Sequence, residues 1–310
     1  MTTQQRPDQT TSRAPLSRVV GDRAAELREE PELISRLVAD PATRVLVVNN
    51  ASIPLAAAAT PALHLATVAE TGLDEAAFTG YLGRDASGTH VLLAAVRDQA
   101  EFAGPGGWGE MRLVGGELSP EHADLGVTGV ALARWHRLGG FCPACGAVAE
   151  LRQAGWSREC TGCGRQHFPR TDPAVIVAIT DDQDRILLGN NALWPKSTYS
   201  LFAGFVEAGE SLEGAVVRET FEEAGITVVD IEYAASQAWP YPQSLMVGFF
   251  ARAASADAAR ADGTEILSVR WFSREDLNDA MAGRGDVRIP ASASVARALI
   301  DQWHSGGSRL

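Results

Sequence analysis

At 310 residues the chain has room for two ordinary domains and a small insert. Apolar residues make up 45% and charged residues 21%, a globular composition that excludes a wholly disordered chain. With 39 acids against 27 bases the net charge is −12, which argues against a general nucleic-acid coat protein and points any phosphate chemistry toward divalent cations.

Residues 1–18 read as a disordered tail, polar and without the apolar run of a secretory signal, so a cytoplasmic location is expected. Segment 53–69 is the nearest approach to a membrane span, and Pro54, Pro61 and His64 interrupt it, so no membrane contact is expected. Residues 19–137 alternate short apolar runs, 44–48 and 90–96, with turn signals such as the glycine-rich 104–109, which predicts a strand-rich domain. A helix is expected over 127–138. No residue constellation in this domain carries chemistry.

All four cysteines, Cys142, Cys145, Cys160 and Cys163, fall in segment 138–170 as two Cys-x-x-Cys pairs separated by 14 residues. Two such pairs joined by a hairpin give four thiolates in a tetrahedron, the geometry of structural Zn²⁺ with no open position. Gly146 and Gly164 permit the tight turn after each pair. Disulfides suit a chain without a leader poorly, and a redox dithiol needs one pair rather than two. Arg152, Arg158, Arg165 and Arg170 are mixed with Glu150 and Glu159, which favours a structural ribbon over a nucleic-acid surface.

The last stretch, 171–310, carries the chemistry. The continuous apolar run 174–179 predicts a strand buried on both faces, 181–184 a turn, and 185–188 its hairpin partner. A strand at 200–203 leads through a loop to a helix over 212–224, capped by Ser211 and stopped by Gly225. Glu219, Glu222 and Glu223 stand at i, i+3 and i+4 and share one face, where their repulsion calls for hard cations such as Mg²⁺ or Mn²⁺. Val217, Phe221 and Ala224 are expected to pack the opposite face against a sheet.

Gly204, Glu210, Arg218, Glu219, Glu222, Glu223, Gly225 and Ile226 match the Nudix box, G-x5-E-x7-R-E-U-x-E-E-x-G-U, with Thr220 as the single departure. The chain thus resembles the Nudix hydrolases. The resemblance implies an α+β protein whose last domain is an α/β/α sandwich with a mixed sheet, and hydrolysis of a nucleoside diphosphate linked to another moiety. It also implies metal ligands at Glu219, Glu222, Glu223 and the Ala203 carbonyl, a general base at Glu222 or Glu223, and Arg218 orienting the glutamates.

Beyond the box, Ser236, Gln237, Ala238, Trp239, Pro240, Tyr241, Pro242, Gln243 and Ser244 resemble the S-Q-P-W-P-F-P-x-S signature of the NADH pyrophosphatase subfamily, with Ala238 for proline and Tyr241 for phenylalanine. Prolines alternating with aromatic residues make a stiff wall against which a planar ring can stack. The same resemblance implies nicotinamide stacking at Phe205, a substrate contact at Phe168, a distal metal-binding glutamate at Glu265 and a backbone contact at Ala296. The implied reaction cleaves NAD(H) to nicotinamide mononucleotide and AMP, and the same cleavage removes an NAD cap from RNA; a homodimer is implied as well. The rival readings are a Nudix hydrolase of ADP-ribose or another dinucleotide, and a zinc-ribbon RNA-binding protein whose Nudix domain senses ligand.

Overall fold

A computed structural model of the chain describes residues 14–17 and 21–306, which fall into two units. One holds residues 21–171 together with Trp239–Gln243; the other holds residues 14–17, Asp172–Ala238 and the described chain from Ser244 onward.

The first unit is built on strands β1 (Arg44–Val48), β2 (Ser52–Pro54), β3 (Ala66–Thr67), β4 (Phe78–Arg84), β5 (His90–Ala95) and β6 (Trp108–Glu110). β1, β3, β4 and β5 form one sheet in the order β3-β1-β5-β4, and β2 pairs with β6. β1 runs parallel to β5, with Val48 opposite Ala95 at their carboxyl ends. Helices α1 (Leu33–Val38), α2 (Val68–Thr71), α3 (Met111–Val114) and α4 (Pro120–Leu138) surround these sheets. The two apolar runs read from the sequence are thus β1 and β5, and Leu37, Val45, Val47, Tyr81 and Leu92 form the core between sheet and helices.

α4 starts earlier than the expected 127–138: Pro120 occupies its first turn and Ser119 Oγ accepts the His122 N–H at 3.3 Å. Gly126 and Gly129 weaken the helical signal in sequence. They are needed for close approach: a Cβ on Gly129 would lie 2.6 Å from Leu46 Cδ2.

Strands β7 (Ala149–Arg152), β8 (Ser157–Cys160) and β9 (Gln166–His167) make the three-stranded sheet of the cysteine segment. This segment is stitched to the preceding domain. The Trp156 indole donates to the Tyr81 carbonyl at 2.7 Å, and the Arg158 guanidinium donates to the His136 carbonyl at 2.6 Å.

The second unit is an α/β/α sandwich on a mixed sheet, as the resemblance implies. Its strands are β10 (Asp172–Thr180), β11 (Ile186–Asn191), β12 (Phe202–Phe205), β13 (Val228–Trp239), β14 (Ser244–Ala253) and β15 (Ile266–Phe272), in the order β13-β14-β10-β11-β15 with β12 also on β10. β10 is parallel to β14 and antiparallel to β11 and β12. Alternation along β10 feeds two cores. Val175, Val177 and Ile179 face helix α5 (Leu212–Ala224), whereas Ile176 and Ala178 join the layer of α6 (Arg274–Met281) and α7 (Val295–Ser305).

Two expectations need correction here. Residues 14–17, read as part of a disordered tail, are placed: Ala14 is buried in the core, and Ser17 Oγ donates to the Ser236 carbonyl at 2.6 Å. Residues 1–13 and 18 of that tail lie outside the described residues. On α5 the buried face is Ala215, Val216, Thr220, Glu223 and Ala224, while Val217 and Phe221 are exposed. Each exposed residue stands one step, about 100°, past the buried stripe, so an apolar identity misled the reading of the face. Thr220 is fully buried, and its hydroxyl donates to the Val217 carbonyl at 3.2 Å, so the one departure from the box leaves no unsatisfied polar group.

Candidate active site and zinc centre

α5 forms where expected. Ser211 Oγ accepts the Gly214 N–H at 3.0 Å, and Gly225 closes the helix in the left-handed conformation. The helix lies against β12, where Gly204 makes room for Glu219: a Cβ there would stand 1.9 Å from the Glu219 carboxyl carbon. The first glycine of the box is therefore a socket for its second fixed acidic residue, Glu219.

Arg218 ties the loop to the helix. Its Nε and one terminal nitrogen donate to both oxygens of Glu210, at 2.9 and 2.8 Å. The other terminal nitrogen donates to Glu219 at 2.8 Å and Glu222 at 3.0 Å, and a further bond reaches the Phe205 carbonyl at 2.9 Å. Bidentate pairing with Arg218 holds the Glu210 carboxyl down at about 2, and Glu210 also accepts the Glu207 N–H.

Glu223 has a different environment. It is buried, its Oε2 has no hydrogen-bond partner among the described residues, and the Ala203 N–H opposes its loss of charge. Burial, then the negative charges of Glu219 and Glu265, push its carboxyl up to about 8. A buried carboxylate oxygen without a partner, among other carboxylates, fits a cation position. Glu265 is exposed at the end of the loop before β15. Asp262, which sequence reasoning missed, organises that loop by accepting the N–H groups of Glu265 at 3.0 Å and Ile266 at 2.7 Å. The Asp-Gly-Thr turn signal at 262–264 was its only trace in the sequence. Among the described residues the glutamates do not close into a cluster as tight as the cysteines, because Arg218 draws Glu219 and Glu222 to itself.

The signature is divided. Ser236, Gln237 and Ala238 lie near the end of β13, which closes at Trp239, and Ser244 opens β14 as a buried residue. Gln237, expected to touch substrate, is buried with its amide engaged internally: Nε2 donates to the Pro15 and Ala293 carbonyls, and Oε1 accepts the Val295 N–H at 2.8 Å. Its side chain braces the start of α7. Ala296 is a buried residue of that first turn. The Val295 and Arg297 N–H groups flanking it are taken by Gln237 and Ser294, so a substrate contact at Ala296 would be through its own N–H. Phe205 is 53% exposed, which leaves its ring face available for stacking.

In the other unit, Pro240, Tyr241, Pro242 and Gln243 form the turn that follows Trp239. The Trp239 and Tyr241 rings are 5.0 Å apart at 79°, an edge-to-face pair, so the aromatic wall has one stacking plane at each ring rather than a shared one. Arg134 Nε donates to the Pro242 carbonyl at 3.1 Å across 108 positions of sequence, a support with no local signal. Phe168 is 47% exposed.

The four cysteine sulfurs lie within 4.8 Å of one another, with Cys142 and Cys163 3.8 Å apart and Cys145 and Cys160 3.3 Å apart. Sulfurs at about 2.3 Å from a tetrahedral Zn²⁺ stand about 3.8 Å apart, so the donor set fits zinc. Gly146 and Gly164 both have positive φ, and the Cys163 and Gly162 N–H groups point at Cys160 Sγ, holding its thiol down at about 6.

Residues 170–291 match the NUDIX domain and residues 139–168 match the NADH pyrophosphatase zinc ribbon domain. The NAD-capped RNA hydrolases NudC of Mycobacterium bovis and Mycobacterium tuberculosis are 38% identical to this chain over 305 residues, covering 93% of it and 94% of their own length. The chain belongs to the Nudix family, in the branch that carries this ribbon. Human NAD-capped RNA hydrolase NUDT12 is 35% identical over 199 residues, which is 60% of this Nudix chain and 43% of the human protein. A solved NUDIX hydrolase from Nitrosomonas europaea aligns with 55% of this chain and 95% of its own at 27% identity and a TM-score of 0.41. The four-cysteine ribbon of this Nudix protein is a structural Zn²⁺ site. No described helix is long and apolar enough to cross a membrane.

Proposed function

We propose that this Nudix protein hydrolyses the pyrophosphate of NAD(H) to nicotinamide mononucleotide and AMP, and removes NAD from the 5′ end of RNA. The observation that carries the chemistry is Glu223, a buried carboxylate with an unpartnered oxygen, held beside Glu219 and Glu265. The choice of pyrophosphate is supported by the Trp239 signature and by relatives, matched over nearly their whole length, that bear the name NAD-capped RNA hydrolase.

Glu219, Glu222, Glu223, Glu265 and the Ala203 carbonyl would hold Mg²⁺ or Mn²⁺. Bound there, such a cation supplies charge neutralisation at the pyrophosphate and lowers the pKa of water. Glu222 or Glu223 takes the proton of the attacking water, whose oxygen bonds to phosphorus as the bridging P–O bond breaks. Each product then carries one monophosphate. Arg218, saturated with five hydrogen bonds to Glu210, Glu219, Glu222 and Phe205, keeps the carboxylates in place without turning to substrate. In the Nudix unit Phe205 offers a ring face and the Ala296 N–H a donor; in the other unit Phe168, Trp239 and Tyr241 offer ring faces suited to nicotinamide or adenine. Four thiols arranged for zinc suit a reducing cytoplasm, and a homodimer goes with this reading.

Competition of NADH with ADP-ribose tests the substrate. NADH should have the higher kcat/KM, and Trp239→Ala should raise its KM about tenfold, as loss of roughly 1.4 kcal/mol of stacking implies. Equal use of the two substrates, unaffected by the substitution, would remove nicotinamide recognition from the account.

A further inference from the structure

The first unit contains a cavity of about 450 Å³, within the range of small-ligand sites. It opens at the carboxyl ends of the parallel pair β1 and β5 and is closed by the last turns of α4. In open sheets with parallel strands, that end is where ligands bind. Arg97 follows β5, and Arg134 and Arg137 come from α4, so three guanidiniums line the cavity. Among the described residues no acidic side chain lines it, although acids outnumber bases in the chain as a whole.

Among the described residues none of these arginines forms an ion pair. Arg134 donates to the Pro242 carbonyl and Arg137 to Asn50 Oδ1, both neutral acceptors. His136, also in the lining, adds no charge at neutral pH. Its ring lies between the Thr79 hydroxyl and the Gly155 carbonyl, and burial pushes its pKa down to about 4. Glu101 reaches only the Arg97 backbone N–H, at 2.9 Å, so three cations lining one cavity leave it suited to an anion. Planar forks from two directions match the oxygens of a phosphate. The mouth also borders apolar Val48 and Ala133, room for a group attached to the phosphate.

We propose that this cavity is a second ligand site, separate from the Nudix box, that takes a phosphate-bearing molecule of mononucleotide size. Equilibrium dialysis of the full-length zinc-loaded protein against labelled AMP counts sites. The comparison is with Arg97→Ala/Arg137→Ala, two exposed positions outside the hydrolytic machinery. The wild type should bind one more AMP per chain than the double variant. The additional AMP should be displaced by inorganic phosphate and not by adenosine. In AMP-free buffer the double variant should hydrolyse NADH like the wild type, which separates this site from the proposed reaction. If the alanine variant is poorly soluble, Arg97→Glu alone should abolish the additional site. Equal stoichiometry in wild type and variants, or displacement by adenosine, overturns the proposal. Displacement by a 5′-phosphorylated oligoribonucleotide but not by phosphate also overturns it, and assigns the arginines to an RNA backbone instead.

Discussion

Gly204 and Glu219 occupy one space: the glycine has no Cβ, and the carboxylate fills the position where one would be, 1.9 Å from its ideal place. Gly204→Ala therefore displaces Glu219 without entering the core. The displaced group is the far end of a flexible side chain, so the thermal midpoint should move by only a few degrees, about 1 kcal/mol of stability. Activity should fall about 100-fold, because a shift of roughly 1 Å in a positioned group costs that much. Parallel melting curves and initial rates decide it; a large stability loss with normal kcat contradicts the socket.

Arg218→Lys tests the clamp. Lysine keeps the charge but cannot make the bidentate contact with Glu210 while also reaching Glu219 and Glu222. The expected outcome is a 10- to 100-fold fall in kcat, on the order of 1.4–2.7 kcal/mol, together with a higher concentration of Mn²⁺ or Mg²⁺ for half-maximal rate. A purely structural role would lower the melting temperature and leave the metal dependence unchanged.

These two residues show what a sequence displays and what it hides. The box spelled out Gly204, Arg218 and the glutamates, and periodicity placed β10 and α5 to within a residue or two, because local capping and alternation are written in adjacent positions. The orientation of α5 was less legible. Val217 and Phe221 look like core residues, and only the approach of β12 decides that Thr220 and Glu223 turn inward. Gln237 stands in the signature, and the partners of its side chain, Pro15 and Val295, lie 222 and 58 positions away. Long-range partners of this kind leave no trace in local pattern, and the same holds for Arg134.

The ribbon should hold one tightly bound zinc per chain, countable by elemental analysis. Cys160→Ser removes the sulfur to which two N–H groups point and leaves the other three ligands without a closed set. It should lower the melting temperature and release zinc, and restoring Mn²⁺ should not recover the loss. Loss of activity without loss of zinc or stability would contradict a structural centre.

His136 makes a pH prediction with a definite sign. Its folded pKa, about 4, lies below the unfolded value of 6.5, so between those values the unfolded chain binds a proton that the folded chain does not. Stability is complete above pH 6.5 and falls as pH drops toward 4, by roughly 3 kcal/mol at most. Urea titrations at pH 7.5, 6.0 and 4.5 should show this slope. His136→Gln, which can keep one neutral hydrogen bond, should flatten it, and an unchanged slope in that variant would contradict the assignment.

The central claim is that the Glu223 cluster performs hydrolysis of the NAD(H) pyrophosphate. The most direct measurement is product analysis after incubating NADH with the purified protein and Mn²⁺ or Mg²⁺, for the wild type and Glu223→Gln. The account predicts equal amounts of reduced nicotinamide mononucleotide and AMP from the wild type, with at least a 100-fold lower rate from a folded, zinc-loaded variant. Undiminished cleavage by Glu223→Gln, or no cleavage by the wild type, would contradict it.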